Sequence, residues 1–236
     1  MREWVFVELG GSSAQSTGVR DGAWVFTDGV TRRAGVRYAL AVPGVIRAPK
    51  VLYATNLGWP DVADPAHELA LGPVEVLEND AVAAALGESV LRADGTCPDL
   101  LYVALGTGVG TALVRNGRAA DADMGHIPVG GNAFCASCRA HGCLNSVVEA
   151  RQLSHPVTGD EVATVVSALL RALDGLRARG PVPSLLVLSG GIVVSTPMIP
   201  ARLAERTRFT IEPSRAASGA KSAAYAGLSH LAGLAH

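Results

Sequence analysis

One histidine and three cysteines form the densest group of potential ligands in the chain. They follow the spacing H-x8-C-x2-C-x4-C and are His126, Cys135, Cys138 and Cys143. One imidazole and three thiolates can close a tetrahedral zinc site. A redox Cys-x-x-Cys motif or a disulfide is the alternative, but neither uses the histidine and the third cysteine, and no thioredoxin-like setting is present. Four protein ligands leave no open position for water, so the sequence predicts a structural zinc ion and not a catalytic one.

A glycine-rich turn precedes this group. The apolar run Leu100–Leu105 breaks at Gly106-Thr107-Gly108-Val109-Gly110 and resumes at residues 111–114, which predicts two strands joined by a tight loop. Backbone N–H groups that converge in such a loop suit phosphate oxygens, and glycine allows the phosphate a close approach. An ordinary hairpin explains the same pattern, so the turn alone does not establish nucleotide binding.

A second glycine turn lies near the start of the sequence. Residues 4–7 form a strand pattern that ends in Glu8-Leu9-Gly10-Gly11-Ser12, and residues 14–19 and 23–26 can return as two short strands. Taken by itself this pattern is a surface hairpin with one acidic residue. Its interpretation therefore depends on the other motifs of the chain.

An acidic residue also stands at the start of a predicted helix. Residues 74–77 form a strand pattern, and Glu78-Asn79-Asp80 leads into the alanine-rich helix 81–86. Asp80 can cap this helix, because an acid at that place satisfies free N–H groups and suits the positive end of the helix dipole. Further along, apolar residues at helical spacing predict a core helix over 161–179, and a strand over 183–188 runs into Ser189-Gly190-Gly191. A last helix is predicted over 216–232.

Composition narrows the classes of function. The 236 residues are 49% hydrophobic, which is enough material for a buried core. A formal net charge of −1 argues against a broad nucleic-acid surface. The longest apolar run, over residues 185–194, is too short to span a bilayer, and residues 1–3 do not resemble a cleaved signal. We therefore expect a cytoplasmic protein without nucleic-acid or membrane partners.

Taken together, the motifs resemble those of one family. LGTGVG, MGH and C-x4-C-L, preceded by AVPGVI, NLGW and ENDAVAAALGE, are similar to the ROK family of sugar kinases and sugar-responsive repressors. The resemblance runs in order from Val5 to about Gly227 and implies an α/β, two-lobed, actin-like (ribonuclease-H-like) ATPase fold. It places an N-terminal lobe at 1–96, a C-terminal lobe with the zinc site at 97–215, and a closing helix at 216–236 that packs back on the first lobe. A polar, turn-rich stretch at 94–98 suits the lobe boundary.

The resemblance also implies the cofactors ATP and Mg²⁺ and a general base. Glu8 stands where the family has an aspartate that helps to hold magnesium. The phosphates and the nucleotide would be bound by the turns that contain Gly10, Gly11, Ser12, Gly106, Thr107, Gly108, Gly190 and Gly191. Asp80 corresponds to the family's general base, which accepts the proton of the attacking sugar hydroxyl, and this role is compatible with capping.

The substrate side follows from the same resemblance. The predicted contacts to substrate hydroxyls are Asn56, Asn79, Asp123, His126 and Asn145. The family has glutamate at the positions of Asp123 and Asn145, and its first cysteine is displaced by one residue relative to Cys135. The departures at Asp123 and Asn145 favour a substrate other than plain glucose, such as an amino sugar, a cyclitol or a nucleoside-like alcohol.

The predicted function is ATP-dependent phosphorylation of a hydroxyl on a sugar or sugar-like substrate. The alternative is a sugar-binding relative without kinase activity, because Glu8 replaces the usual aspartate and both lobes look trimmed. Between Phe26 and Tyr38 the chain offers no helix pattern where the family has a long helix. We expect the sheet face below to lack its cover, and a homodimer or higher oligomer to bury it.

Overall fold

Two five-stranded sheets with a pair of helices between them make up the computed structural model. It describes residues 3–10, 14–20, 23–30, 32–54, 57–59, 61–148, 153–154, 157–216 and 220–234. In the described part of the chain no helix is long and apolar enough to cross a membrane.

The first sheet has the strand order β3-β2-β1-β4-β7. The first three strands are antiparallel neighbours, and β4 and β7 then run parallel to β1. A small hairpin of β5 and β6 and a short helix α1 (Pro65–Glu68) lie between β4 and β7. The strand bounds are β1 Trp4–Leu9, β2 Ala14–Arg20, β3 Ala23–Asp28, β4 Arg37–Val42, β5 Val45–Arg47, β6 Lys50–Tyr53 and β7 Val74–Asn79.

One face of this sheet was expected to be open, and for β1 and β4 that expectation is wrong. As predicted, the described residues between β3 and β4 form no helix. Even so, Val7, Leu40 and Val42 are 0% exposed, because apolar residues from the stretches before and after β4, among them Val36, Val51 and Leu69, pack in one core cluster with them. The buried Tyr38 anchors this cover, since its hydroxyl accepts a hydrogen bond from the Arg33 N–H (2.7 Å) and donates one to the Arg33 carbonyl (3.1 Å). Because this face is covered, it gives no reason to expect an oligomer.

The second sheet repeats the plan of the first, with the order β10-β9-β8-β11-β12. Its first three strands are antiparallel, and β11 and β12 run parallel to β8. Helix α4 (Gly159–Arg179) covers its outer face and starts in a capping box made by Thr158 and Glu161. The strands are β8 Leu100–Leu105, β9 Val109–Arg115, β10 Arg118–Asp121, β11 Leu185–Ser189 and β12 Thr210–Pro213, and the short helices are α3 Leu144–Val148, α5 Gly191–Ser195 and α6 Met198–Ala204.

Helices α2 (Asp80–Val90) and α7 (Ala220–Leu231) fill the space between the two sheets. They cross at Gly87 and Gly227, where their backbones touch. A Cβ atom on Gly87 would overlap the carbonyl oxygen of Ala223, and one on Gly227 would overlap that of Ala83. The last helix thus packs on the helix that follows β7.

Candidate active site

The carboxyl ends of parallel strands from both sheets open into one cleft of about 790 Å³. Ligands of α/β proteins bind at this end of the strands. The predicted site residues that line the cleft are Glu8, Gly10, Asn79, Asp80, Gly106, Thr107, Gly108, Asp123, His126, Cys138, Asn145, Gly190 and Gly191. Gly11, Ser12 and Asn56 were also predicted, and they lie outside the described residues. The fold therefore gathers residues that are far apart in sequence around one space.

The start of α2 is capped by Asn79 and not by Asp80. The side-chain oxygen of Asn79 accepts hydrogen bonds from the N–H groups of Ala81 (2.9 Å) and Val82 (3.1 Å). Its amide nitrogen donates to the carbonyl oxygen of Gly44 (3.0 Å). Gly44 has a positive φ of 115°, and a Cβ there would overlap the backbone of Tyr53. Asn79 thus joins the helix start to the glycine turn after β4, and its contact with a substrate stays a prediction.

Asp80 is the first residue of α2 and lines the cleft. One carboxylate oxygen accepts a hydrogen bond from the Ala81 N–H at 2.9 Å. Burial raises the pKa of Asp80 from 3.8 to about 6, and the negative charge of Asp121 adds to this effect. A carboxylate with a pKa near neutrality is suited to accept a proton in a reaction at physiological pH. Since Asn79 provides the cap, the carboxylate of Asp80 is available for this chemistry.

The glycine turn between β8 and β9 has fewer backbone N–H groups available for a phosphate than the sequence suggests. The Gly106 N–H donates to the Gly108 carbonyl (3.0 Å), and the Val109 N–H donates to the side-chain oxygen of Asn145 (2.8 Å). The described residues provide no acceptor for the N–H groups of Thr107 and Gly108. Thr107 and Gly108 line the cleft, which has room for phosphate oxygens.

The glycine pair Gly190-Gly191 follows β11 and packs against the end of β8. Gly190 has a φ of 94°, and a Cβ at this position would overlap the backbone of Leu105 at the end of β8. Only glycine allows this approach of β11 to β8. Gly190 and Gly191 line the same cleft as the Gly106 turn.

The four predicted zinc ligands come together beside the cleft. Their ligand atoms lie within 4.8 Å of one another. The Nδ1 atom of His126 is 3.9 Å from the Cys135 sulfur and 4.0 Å from the Cys143 sulfur, and the sulfurs of Cys138 and Cys143 are 3.8 Å apart. Zinc–sulfur bonds of about 2.3 Å at tetrahedral angles require sulfur–sulfur separations of about 3.8 Å. The donor set and its dimensions thus fit a zinc ion.

The unusual position of Cys135 in the sequence does not remove it from the cluster. A tight turn brings it in, because the Cys135 N–H donates to the Ala140 carbonyl (2.8 Å) and the Arg139 N–H donates to the Cys135 carbonyl (2.9 Å). Arg139 takes a positive φ of 57° in this turn. Cys135 and Cys143 are buried, whereas Cys138 is half-buried and reaches the cleft wall.

Asn145 connects the cluster with the glycine turn. Its side-chain oxygen accepts from the Val109 N–H, and its amide nitrogen lies 3.7 Å from the Cys135 sulfur. The predicted substrate contact of Asn145 remains untested, but this link between two parts of the site was not foreseen.

Several cleft residues were missed from the sequence, and Asp121 is the most informative of them. It ends β10 and lines the cleft together with Asp123. Loss of solvent raises the pKa of Asp121, and the charge of Asp123 raises it further. The pattern of two acids two positions apart before MGH was a visible signal. Tyr102 was also missed; it lines the cleft, and burial raises the pKa of its hydroxyl well above the usual range.

Comparison with known sequences and structures decides the family. The sequence profile of the ROK family matches residues 18–171, which is more than half of the chain. The chain belongs to the ROK family. A glucokinase of Halalkalibacterium halodurans is 35% identical over 131 residues, a match that covers 50% of this chain and 39% of the glucokinase. A putative xylose repressor of Caldicellulosiruptor is 31% identical over 132 residues and is covered to 33% of its length, against 52% of this chain.

Solved ROK structures share the fold over almost the whole chain. An inorganic polyphosphate/ATP-glucomannokinase from Arthrobacter has a TM-score of 0.73 at 21% identity, and the match covers 98% of this chain and 99% of that one. A ROK glucokinase from Streptomyces griseus, in complex with glucose and AMPPNP, has a TM-score of 0.69 at 18% identity, covering 97% and 98%. The α/β actin-like fold of ROK kinases is therefore established. The chain spans less than half the length of the curated relatives named above, so activity and substrate are taken up next as proposals.

Proposed function

We propose that this ROK protein is a kinase that transfers a phosphoryl group from ATP to a hydroxyl of a sugar or sugar-like substrate. The observation that carries the proposal is the position of Asp80. Its carboxylate has a pKa of about 6 and lines the same cleft as the Gly106 and Gly190 turns. A base and a phosphate-binding turn within one cleft are the two parts that phosphoryl transfer to an alcohol needs.

The nucleotide would lie along the glycine turns. The N–H groups of Thr107 and Gly108 would donate to phosphate oxygens, while the turn that contains Gly10, Gly11 and Ser12 would hold them from the other sheet. Glu8 is 7% exposed at the end of β1 and faces the cleft. Its carboxylate suits Mg²⁺, which binds oxygen ligands and, when bound, neutralises charge on the phosphates.

Asp80 would accept the proton of the attacking hydroxyl as the phosphoryl group is transferred. His126 and the acidic segment that contains Asp123 would orient the sugar from the opposite wall, with Asn56, Asn79 and Asn145 as the further substrate contacts that the family resemblance implies. The cluster of His126, Cys135, Cys138 and Cys143 would hold a structural zinc ion. Because His126 has a second ring nitrogen, it can bind zinc and substrate at once. Phosphoryl transfer depends on such positioning more than on covalent help from the protein.

The cysteines proposed as zinc ligands, Cys135, Cys138 and Cys143, would stay reduced in a reducing compartment, and for this reason we propose a cytoplasmic location. A homo-oligomer also remains a proposal, now without the support of an uncovered sheet face.

The second candidate function is sugar binding without phosphoryl transfer. Glutamate at position 8 favours it, because its carboxylate reaches one methylene further than aspartate and moves the magnesium ligand. The match to a putative xylose repressor also shows that ROK relatives include regulators.

The deciding experiment is ATP consumption by the purified protein with a panel of hexoses, amino sugars, cyclitols and nucleosides. We expect turnover with at least one of them, and we expect Asp80→Asn to lower kcat about 10²- to 10⁴-fold while sugar binding persists. Undiminished turnover in folded Asp80→Asn would exclude Asp80 as the base. If the wild type binds a sugar but phosphorylates none, the second candidate replaces the first, and Glu8→Asp is the variant that should recover magnesium-dependent ATP binding.

A further inference from the structure

A small hairpin forms part of the cleft wall on the side of the first sheet. Its strands β5 and β6 pair antiparallel, and Val45 lies opposite Tyr53. Side chains of directly opposite residues lie on the same face of a strand pair. Both residues line the cleft. The hairpin thus places an aliphatic and an aromatic residue next to each other on the cleft wall.

These two residues are exposed although they are large and apolar. Val45 is 39% exposed and Tyr53 is 44% exposed. The other exposed large apolar residues in the described part of the chain do not line the cleft, and they are Val62, Leu91, Phe134, Val194, Met198 and Leu231. Apolar surface inside a cleft is typical of a ligand-binding wall, because the ligand covers it and the rest of the protein does not.

Backbone contacts hold the pair beside the proposed base. Val45 directly follows Gly44, whose carbonyl oxygen accepts a hydrogen bond from the side-chain nitrogen of Asn79 at 3.0 Å. Asn79 is the residue before Asp80. The backbone of Tyr53 packs against the same glycine, since a Cβ on Gly44 would overlap the Tyr53 carbonyl oxygen. An acceptor whose hydroxyl lies at Asp80 is therefore bound next to the Val45–Tyr53 pair.

We propose that Val45 and Tyr53 form a subsite for an apolar substituent of the acceptor, and that the substrate is a sugar or cyclitol that carries an acyl or alkyl group. A bare polyol would bury hydroxyl groups against this pair, and a buried hydroxyl without a hydrogen-bond partner lowers affinity. An acyl or alkyl group instead removes apolar surface of both partners from water, and the ring of Tyr53 offers it a flat apolar contact. This inference rests on the proposed sugar kinase function.

The test measures binding of two probe series by calorimetry. One series consists of amino hexoses whose N-acyl chain grows from acetyl to butanoyl, and the other of hexose ethers whose O-alkyl chain grows from methyl to propyl. For the wild type we expect the affinity to rise about fourfold with each added CH₂ group in one of the series, until the subsite is filled. The series that shows the rise distinguishes an acyl from an alkyl substituent.

The variants Tyr53→Ser and Val45→Ser should reduce this rise to about twofold or less per CH₂ group, because less apolar surface is buried. Tyr53→Phe should keep the rise, since the aromatic ring remains. Val62→Ser is the matched control, because Val62 is 64% exposed, lies between β6 and β7 and does not line the cleft. Each variant is compared with itself along the series, so a uniform loss of folding or binding does not imitate the effect.

The outcomes separate the inference from the function on which it rests. If the wild type phosphorylates a sugar but its affinity does not rise with chain length in either series, or rises equally in Tyr53→Ser and Val45→Ser, the inference is refuted and the kinase function stands. If the wild type binds the longer chains more tightly and both serine variants lose this preference, but no probe is phosphorylated, the kinase function fails and the subsite belongs to a sugar-binding protein.

Discussion

Replacing Asp80 by asparagine should make the folded protein more stable at neutral pH, although it should strongly lower the rate of the proposed reaction. Asparagine has nearly the same size and keeps an oxygen that can accept the hydrogen bond from the Ala81 N–H. It removes a negative charge that burial disfavours. The helix keeps its cap, because Asn79 and not Asp80 makes the capping hydrogen bonds.

The magnitude follows from the pKa of Asp80. Its rise from 3.8 to about 6 means that the ionised form destabilises the folded state, and at about 1.4 kcal/mol per pKa unit the full penalty is about 3 kcal/mol. Asparagine also forfeits the attraction between a carboxylate and the helix amino terminus, which is worth about 0.3–1 kcal/mol. The expected net gain in the free energy of unfolding is therefore about 2 kcal/mol.

The gain must depend on pH in one direction. Because the folded-state pKa lies above 3.8, the folded protein binds more protons than the unfolded chain between pH 3.8 and about 6. The penalty is absent below pH 3.8 and complete above about pH 6. Urea unfolding of both proteins at pH 7.5 should thus show the full difference, and the difference should shrink as the pH falls through 5.

The measurement requires protein free of nucleotide and magnesium, since ligands that bind only the folded state add stability of their own. If Asp80→Asn is less stable than the wild type at pH 7.5, the carboxylate stabilises the helix start and the reasoning from burial is refuted. An equal gain at every pH would also refute it, because no titration would then be involved.

Two further predictions concern the zinc cluster and the helix crossing. Purified protein should contain about one zinc ion per chain by elemental analysis, and protein purified without chelator that holds no zinc would contradict this prediction. Cys143→Ser should lose the ion and unfold more readily than Cys138→Ser, because the serine hydroxyl at position 143 would lie in a buried position. Gly87→Ala should lower the free energy of unfolding by about 1–3 kcal/mol or more, since the added Cβ overlaps the backbone of α7. Gly159→Ala is its control, because nothing lies within 4 Å of a Cβ there, and an equal effect of both substitutions would mean that the crossing is not tightly packed.

Elements with a strong local signal were predictable from the sequence. The helix pattern over 161–179 became α4, which starts two residues earlier at the Thr158 cap. The strand and glycine turn around residue 106 became the β8–β9 hairpin. The predicted helix 81–86 was too short, because Gly87 weakens the local preference for helix. Packing of Gly87 against α7 allows the helix to continue to Val90.

Features that depend on contacts between distant segments were not predictable. The cover of the first sheet comes from apolar residues before and after β4, and because the stretch between Phe26 and Tyr38 shows no helix pattern, the sequence indicated an open face. The sequence indicated Asp80 as a possible cap of α2. Asparagine and aspartate both suit a cap, and only the backbone geometry selects Asn79. Asp121 was overlooked because its position at the cleft depends on the strand end and on the reversal at Asp123.

Asn145 stands where the family has glutamate, and its contacts in the structure suit an amide side chain. An amide can accept a hydrogen bond from the Val109 N–H and approach the Cys135 sulfur with its nitrogen, and the structure shows both contacts at 2.8 Å and 3.7 Å. A glutamate at this place would have no N–H donor for the sulfur. Asparagine therefore suits a residue that lies between a cysteine cluster and a glycine turn. Its side chain links the cluster to the turn that would hold the phosphates.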